Sequence, residues 1–375
     1  MILFLTKAIL LHRKRQVLLT TLGVSAAFFL AMAQFGLLVG WIHTNTALIN
    51  HAGVDLWLIA EKTPAWDYGT AIPRQAIYQA RSTPGVSWAE GLFMAWNTWQ
   101  RPDGRRVNVE LVGLDKSNVG GPWEMSQGGI DCVHNAKTVV VDELFLNQLG
   151  AWGLGENFEM YGERATLGGI CRGVRTFTAS PHVFTSVEQA ILYDKRYRDD
   201  EITYVMARCA PGITAAEVQA EMRRRIPHVE VLTSHEFAVR SAKYWMLETG
   251  IGITVVITAL LGLAVGAVIT SQAIYSTTQE YLPNYATLLA LGFSQKTLAG
   301  IVMAQSAVIG MGGLLVGSLM FLGASMASSK TPIPMEMTSA LYIALMLTLL
   351  LVCVAASFVS VRVIFKLDPI AVFRQ

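Results

Sequence analysis

Four long apolar stretches constrain the fold of this 375-residue chain more than any other feature of its sequence. They cover residues 17–41, 249–271, 298–326 and 339–361. Each is long enough to cross a bilayer as a helix, which takes about 20 residues. Charged residues make up only 15% of the chain, whereas soluble domains carry about 25%. The sequence therefore predicts an integral membrane protein with four transmembrane helices.

Basic residues near the first and last stretches predict the orientation of the chain. Three of them occupy positions 13–15, before the first stretch, and Arg362 and Lys366 follow the fourth. Cytoplasmic segments of membrane proteins carry an excess of lysine and arginine, so we expect both termini in the cytoplasm. The long segment between the first two stretches then lies outside, and the segment between the second and third lies inside.

These expectations divide the chain into consecutive segments. The predicted boundaries are 1–16 for a cytoplasmic or interfacial helix, 17–41 for the first span, 42–248 for the external domain, 249–271 for the second span, 272–297 for a cytoplasmic loop with a short helix, 298–326 for the third span, 327–338 for a short external loop, 339–361 for the fourth span and 362–375 for a cytoplasmic tail.

The N-terminus also has the parts of a cleaved signal peptide, which is the alternative interpretation. A basic cluster precedes an apolar region, and Ala31-Met32-Ala33 would be the cleavage site. However, the apolar sequence continues from Phe35 through Ile42, and another apolar segment precedes the basic cluster. These two features favour a retained first span.

The external segment mixes the patterns of strands and helices. Strands are predicted at 54–59, 107–112 and 138–141, and helices at 73–81, from Asp142 to Gly150, and from the capping box Thr214-Ala215-Ala216-Glu217 to Pro227. The tryptophans Trp88, Trp96, Trp99 and Trp123 are expected either in the core or on a surface that binds a partner. The pattern predicts an α+β domain of one lobe or two.

Motifs for catalysis and metal binding are missing from the sequence. No Gly-Lys dipeptide occurs, which excludes a Walker A loop. His235-Glu236 begins like a zinc protease motif, but Val239 stands where the second histidine would be. The four cysteines form no CxxC pair, and the net charge of +2 does not suggest nucleic acid as a partner. We therefore predict no catalytic site, no metal site and no cofactor in this chain.

The spans contain small residues at the spacing that lets helices approach closely. GxxxG patterns begin at Gly36, Gly262 and Gly313. We expect close packing through them, within the chain or across a dimer, with Gly262 and Gly266 of the second span as the first choice. The spans carry no charged residue, which disfavours a path for charged solutes. Gln34, Gln272 and Gln305 are expected to form hydrogen bonds between helices.

A short segment between the second and third spans predicts a helix of its own. It covers residues 279–292, carries apolar side chains at Tyr285, Leu288, Leu289 and Leu291, and ends at Gly292, a residue type that caps helices. With the four spans and the large external domain, it resembles the FtsX/MacB/LolC class of ABC transporter permeases (type VII), most closely the DevC-type permease. Further motifs that carry the resemblance are Gly168-Gly169-Ile170, Phe177-Thr178-Ala179-Ser180-Pro181 and the terminal Asp368-Pro369-Ile370-Ala371-Val372-Phe373-Arg374.

The resemblance implies that the short helix docks on the ATPase. The residues implied in ATPase coupling are Glu280, Tyr281, Leu282, Pro283, Asn284, Tyr285, Thr287, Leu288, Leu289, Leu291 and Gly292, and those implied in a contact of the cytoplasmic tail are Asp368, Pro369, Phe373 and Arg374. Two positions depart from the family pattern, in which a glutamate is commoner at position 284 and a basic residue at position 289. This coupling helix is therefore less charged than those of its relatives.

The function implied by the resemblance is that of a permease subunit in an efflux ABC transporter of the bacterial inner membrane. ATP and magnesium would bind to a separate ATPase subunit, and the other partners would be a second copy or a homologous permease, a periplasmic membrane-fusion adaptor, an outer-membrane channel and membrane lipid. The subunit would transmit motion rather than conduct its cargo, a lipid, glycolipid or other amphiphile. The alternative is an FtsX-like regulator that activates a periplasmic cell-wall hydrolase.

Overall fold

The computed structural model describes residues 4–6, 10, 14–178 and 180–364, and it divides into two compact units. The helical unit comprises Met1–Gly40, Ile253–Ser329 and Pro334–Gln375, and the α/β unit comprises Trp41–Gly252 and Lys330–Ile333. Most of the predicted N-terminal helix and the whole stretch 365–375 of the predicted tail lie outside the described residues.

Ten α-helices have both ends within the described residues. They are α1 (Lys14–His51), α2 (Gln75–Arg81), α3 (Leu146–Leu149), α4 (Val187–Tyr193), α5 (Ala215–Arg225), α6 (Ser234–Lys243), α7 (Ile251–Glu280), α8 (Leu282–Ala290), α9 (Gln295–Ser328) and α10 (Ser339–Ile364). Within this part of the chain, four of them, α1, α7, α9 and α10, are long and apolar enough to cross a membrane. This confirms the predicted number of spans.

Helix α1 extends further than the apolar stretch that predicted it. The predicted span ends at residue 41, whereas the helix continues without a break to His51. Polar residues such as His43 and Asn45 end the apolar run but do not prevent helix formation. The segment before α7 differs, because α6 is followed by a π-helical turn (Tyr244–Glu248), and Gly250 then adopts a positive φ of 75°.

The GxxxG patterns pack within the helical unit. A methyl group added at Gly262 would lie 2.9 Å from the Gln34 side chain, and one at Gly266 would lie 3.1 Å from the carbonyl oxygen of Ala27. On α9, a methyl group at Gly317 would lie 2.9 Å from the carbonyl oxygen of Ser25. Because any side chain larger than hydrogen would separate these helices, the glycines bring α7 and α9 close to α1.

Twelve strands form the sheets of the α/β unit in the described chain. They are β1 (Leu56–Ala60), β2 (Ile72–Pro73), β3 (Val86–Gln100), β4 (Arg106–Leu114), β5 (Met125–Gln127), β6 (Thr138–Asp142), β7 (Asn157–Met160), β8 (Glu163–Cys171), β9 (His182–Ser186), β10 (Glu201–Ile202), β11 (Tyr204–Cys209) and β12 (Val229–Thr233). The large sheet has the order β12-β1-β11-β3-β4-β9-β6-β8-β5, with β7 pairing with β3 and β8. The pairs β4–β9 and β6–β8 are parallel, and β2 pairs with β10 separately.

This unit confirms the predicted α+β class between the first and second membrane helices. The capping box of α5 forms as predicted, with Thr214 accepting from the Glu217 amide. In the helix predicted from Asp142 to Gly150, Asp142 caps a 3-10 turn (Glu143–Phe145) through the Leu144 amide, and Gly150 ends the following α3 with a φ of 68°. A buried apolar core covers each face of the sheet, since alternate strand residues point to opposite sides.

Candidate functional site

Helix α8 has one face packed against its own chain. Tyr281 and Tyr285 are buried, and Leu288 and Leu289 are half-buried. These residues share a cluster with Leu298, Ile301 and Val302 of α9. The inward positions recur at helical spacing, which is why a nine-residue helix is held in place although it is too short to be stable alone.

A buried hydrogen bond fixes this face to α9. The Tyr285 hydroxyl donates to the Gln305 side-chain oxygen at 2.5 Å, and Gln305 is only 4% exposed. The predicted role of Gln305 in a hydrogen bond between helices is therefore confirmed. An amide inside an apolar helix bundle needs such a partner, because an unpaired buried polar group is costly.

The opposite face of α8 is open to solvent in the chain. Pro283, Asn284 and Thr287 are exposed, and Leu291, just beyond the helix, is 71% exposed. Positions 284, 287 and 291 follow the three- and four-residue spacing of one helix face. This face presents a small, mostly uncharged surface, with the exposed Glu280 at the end of α7 as the nearest acidic residue in sequence.

The end of α8 is formed by the glycine predicted for it. Gly292 has a φ of 90°, its amide donates to the Leu289 carbonyl, and the Phe293 amide donates to the Leu288 carbonyl. This is the Schellman arrangement, which requires a left-handed residue and therefore favours glycine. Ser294 then caps α9 through the Thr297 amide. The short helix is thus bounded on both sides by defined turns.

The structure separates the predicted coupling residues into two groups. Tyr281, Leu282, Tyr285, Leu288 and Leu289 are buried or half-buried, whereas Glu280, Pro283, Asn284, Thr287, Leu291 and Gly292 are exposed. Of the two positions that depart from the family pattern, Asn284 is exposed but Leu289 packs against the chain. The predicted tail residues Asp368, Pro369, Phe373 and Arg374 lie outside the described residues.

A second polar group, inside the α/β unit, was not predicted from the sequence. Asp67, Glu110 and His182 are all buried and lie together. They come from distant parts of the chain and have no motif spacing, so no sequence signal identified them. In the part of the chain that the structure describes, no cluster of three or more histidine, cysteine or acidic residues has the arrangement of a metal site.

Two family models match the sequence. The MacB-like periplasmic core domain matches residues 17–225, which is more than half of the chain. The FtsX-like permease C-terminal family matches residues 252–369, which contain α7 from its second residue onward and all of α8, α9 and α10. No curated protein matches the sequence. The two matched segments divide the chain close to the start of α7.

Two solved structures are similar to part of this chain. The extracellular domain of the noncanonic ABC-type transporter YknZ from Gram-positive bacteria is 9% identical and covers 48% of this chain and 98% of its own, with a TM-score of 0.37. The periplasmic region of MacB from Actinobacillus actinomycetemcomitans is also 9% identical and covers 49% of this chain and 90% of its own, with a TM-score of 0.38.

Proposed function

Because the chain belongs to the FtsX/MacB type of ABC permeases, we propose that it is the mechanotransmission subunit of an efflux transporter. In this proposal a separate ATPase binds ATP and magnesium. It contacts α8 on the cytoplasmic side of the membrane and moves this helix. The chain is a DevC-type permease in this proposal, and it pairs with a second copy or a homologous permease in the bacterial inner membrane. Its α/β unit acts through a periplasmic adaptor and an outer-membrane channel on a lipid, glycolipid or other amphiphile.

The two-faced helix α8 is the observation that carries this proposal. Its inner face is fastened to α9 by Tyr285 and the neighbouring leucines, while Asn284, Thr287 and Leu291 remain free for another protein. A helix held on one side moves together with the element that holds it. A force applied to the outer face of α8 would therefore be transmitted to α9, because no flexible loop lies between them to absorb the movement.

The charge distribution of the membrane helices supports transmission rather than conduction. The four apolar stretches contain no aspartate, glutamate, lysine or arginine. Paths for ions and charged solutes usually contain such residues. The uninterrupted course of α1 from Lys14 to His51 also fits a mechanical role, because a helix is stiffer than a coil linker of the same number of residues.

The test uses the full chain purified in nanodiscs with the ATPase that co-purifies with it. Thr287→Arg and Leu291→Arg change the exposed face of α8 and should reduce retention of the ATPase by about tenfold or more, as expected when a hot-spot contact is lost. Gln75→Arg, on the exposed surface of α2, is the matched control and should retain it. Full retention with both α8 variants would contradict the proposal.

The position Leu288 is less suitable for this test. Because the side chain is half-buried against the chain, a Leu288→Asp substitution would disturb the packing of α8 before it affected a partner. The exposed positions separate docking from folding, provided that the thermal unfolding of each variant matches that of the unmodified chain.

A regulator of a cell-wall hydrolase is the second candidate, and the α/β unit decides between the two. Trp152 is 73% exposed and Tyr161 is 57% exposed, and both belong to residue types that are enriched where proteins bind partners. Cross-linking from these positions in cells should capture a membrane-fusion adaptor if the chain serves efflux. Capture of a hydrolase without an adaptor would favour the regulator.

A further inference from the structure

A buried acidic cluster lies inside the α/β unit, beside the segment that leads into α7. Glu110, on the central strand β4, is 0% exposed, and Asp67 is 4% exposed. The Trp96 indole donates to the backbone carbonyl of Asp67, and Trp96 lies opposite Glu110 in the pairing of β3 with β4, so Asp67 lies over the face of the sheet to which Glu110 points. His182, at the start of β9, places its Nδ1 3.2 Å from Oε2 of Glu110. Three buried ionisable groups therefore share one site.

The histidine geometry indicates a proton on Glu110. His182 forms a hydrogen bond with the backbone of Arg175, and its Nδ1 has no hydrogen-bond donor or acceptor of its own. The bond to the Arg175 carbonyl is therefore made by Nε2–H, which leaves a lone pair on Nδ1. Facing that lone pair, an ionised Oε2 would be repelled. A protonated Glu110 would donate to it.

The pair formed by Asp67 and Glu110 also indicates a retained proton. Two neighbouring carboxyl groups buried in a protein oppose each other's ionisation, so the pair keeps one proton to a higher pH than either group would alone. Burial raises the pKa of Asp67 to about 6, and burial together with the charge of Asp67 raises the pKa of Glu110 well above its ordinary value. Burial lowers the pKa of His182 to about 4, which keeps the imidazole neutral.

The groups that face the pair leave its charge uncompensated. Within the described residues, neither Asp67 nor Glu110 forms an ion pair with a lysine or arginine. Tyr204 of β11 and the half-exposed Tyr68 are the other titratable side chains that interact with Asp67. Both are neutral phenols near pH 7. When both carboxyl groups are ionised, the second negative charge has no cation to compensate it. The cost of burying that charge then opposes the close approach of Asp67 and Glu110.

Two hydrogen bonds connect the cluster to the chain on either side. The Trp245 indole donates to Oδ2 of Asp67 at 2.7 Å, and Trp245 lies in the π-helical turn that precedes α7. The Thr178 hydroxyl donates to Oε1 of Glu110 at 3.0 Å. Beside Thr178, the ring of Phe177 lies 4.6 Å from that of Trp245 and 5.7 Å from that of Trp41. Asp67 is therefore hydrogen-bonded both to this turn, through its carboxyl group, and to β3, through its backbone carbonyl and the Trp96 indole.

We propose that Asp67, Glu110 and His182 form a proton-binding site that fastens the Tyr244–Glu248 turn to the sheet of the α/β unit and releases it when the proton is lost. While Glu110 holds the proton, Asp67 lies against it and accepts from Trp245. After deprotonation, the two like charges repel, and Asp67 withdraws from Glu110 together with the turn. This inference does not rest on the proposed transport function.

The sign of the pH effect follows from the direction of each shift. The carboxyl groups bind protons more tightly in the folded state, so their contribution to stability is complete below about pH 4 and is lost as the pH rises through about 6 and above. His182 acts in the opposite direction, because its contribution appears as the pH rises from about 4 to about 6.5. Above about pH 7 only the carboxyl effect remains.

Hydrogen–deuterium exchange of the full chain in nanodiscs tests the site. After correction for the intrinsic pH dependence of exchange, peptides containing residues 244–249 should lose about tenfold or more protection between about pH 7 and pH 9, since one unit of pKa shift corresponds to a tenfold change. Glu110→Gln should remove this loss, because the amide can donate to His182 and accept from Thr178 at every pH.

Two further variants complete the test. Glu90→Gln, on β3, replaces another buried glutamate, which accepts from Ser117 rather than from the cluster, and it should behave like the unmodified chain. Asp67→Asn removes the like charge and should also reduce the pH dependence, so it replaces Glu110→Gln if that variant does not fold. The proposal is overturned if the unmodified chain shows no loss, or if Glu110→Gln or Asp67→Asn retains the full loss.

Discussion

The two units each fasten a short helical segment with a buried hydrogen bond from an aromatic side chain, but the acceptors differ. In the helical unit, Tyr285 of α8 donates to the neutral amide of Gln305. In the α/β unit, Trp245 of the π-helical turn donates to the carboxyl group of Asp67, next to Glu110. An amide keeps the same charge at every pH, whereas a carboxyl pair does not. The attachment of Tyr285 to Gln305 is therefore independent of pH, whereas the attachment of Trp245 to Asp67 depends on the protonation of the carboxyl pair.

Among the substitutions that test this comparison, removal of the Trp245 side chain should lower the free energy of unfolding most. Trp245 is 7% exposed and contacts the Phe177 ring, so Trp245→Ala loses both packing and the hydrogen bond. We expect a loss of about 3–5 kcal/mol in the free energy of unfolding of the α/β unit. Trp245→Phe keeps most of the packing and should lose about 1–3 kcal/mol, the cost of an unpaired buried acceptor.

Chemical unfolding of the full chain in mixed micelles, followed by circular dichroism at about pH 7, measures both values. Trp152→Ala, which removes a tryptophan that is 73% exposed, serves as the control and should change stability by less than about 0.5 kcal/mol. If Trp245→Ala were no more destabilising than this control, the turn would not be fastened to the sheet as the structure indicates.

The sequence predicted the parts of this comparison that depend on local patterns. The apolar stretches, the Gly292 cap and the Thr214 capping box each depend on residues close together in the chain, where composition and spacing are sufficient. The 15-residue strand β3 was not predicted, because most of its residues are buried and it lacks the alternation of a half-exposed strand. Trp96 and Trp99 lie on that strand.

The acidic cluster escaped prediction for a different reason. Asp67 follows β1, whereas Glu110 lies on β4 and His182 on β9, and only the parallel pairing of β4 with β9 brings Glu110 opposite His182. Single acidic residues among apolar neighbours carry no spacing signal. The sequence did predict a hydrogen bond between helices for Gln305, although not its partner Tyr285, because a lone amide in an apolar helix needs a polar partner on a nearby helix.

Removing the hydroxyl of Tyr285 should have an intermediate effect on the helical unit. Tyr285→Phe leaves the Gln305 oxygen without its donor, and we expect a loss of about 1–2 kcal/mol. The loss should be the same at about pH 6 and pH 8, because neither partner ionises in that range. Thermal unfolding in nanodiscs measures it, with Tyr275→Phe as the control, since Tyr275 accepts from the half-exposed Gln279. If the stability loss of Tyr285→Phe depended clearly on pH, the two attachments would not differ in their response to pH as we expect.

Removing the hydrogen bond between Thr20 of α1 and Thr277 of α7 should change the free energy of unfolding least. Their hydroxyl oxygens are 3.0 Å apart, and Thr277 itself donates to the Ala273 carbonyl, so Thr20 is the donor of the pair. Thr20→Val keeps the shape of the side chain and removes only this bond. Hydrogen bonds between membrane helices contribute about 0.6 kcal/mol on average, because the unfolded chain in the membrane also finds partners.

The same substitution at Thr258 provides the matched control. Its hydroxyl donates to the Thr254 carbonyl within α7 and is exposed on the helical unit, so Thr258→Val should change the unfolding free energy by less than Thr20→Val. A loss at Thr20 as large as that for Tyr285→Phe would mean that burial does not decide the strength of polar contacts in this unit. A loss near 0.6 kcal/mol, measured by unfolding in mixed micelles, would attribute the larger effect at Tyr285 to its burial against Gln305.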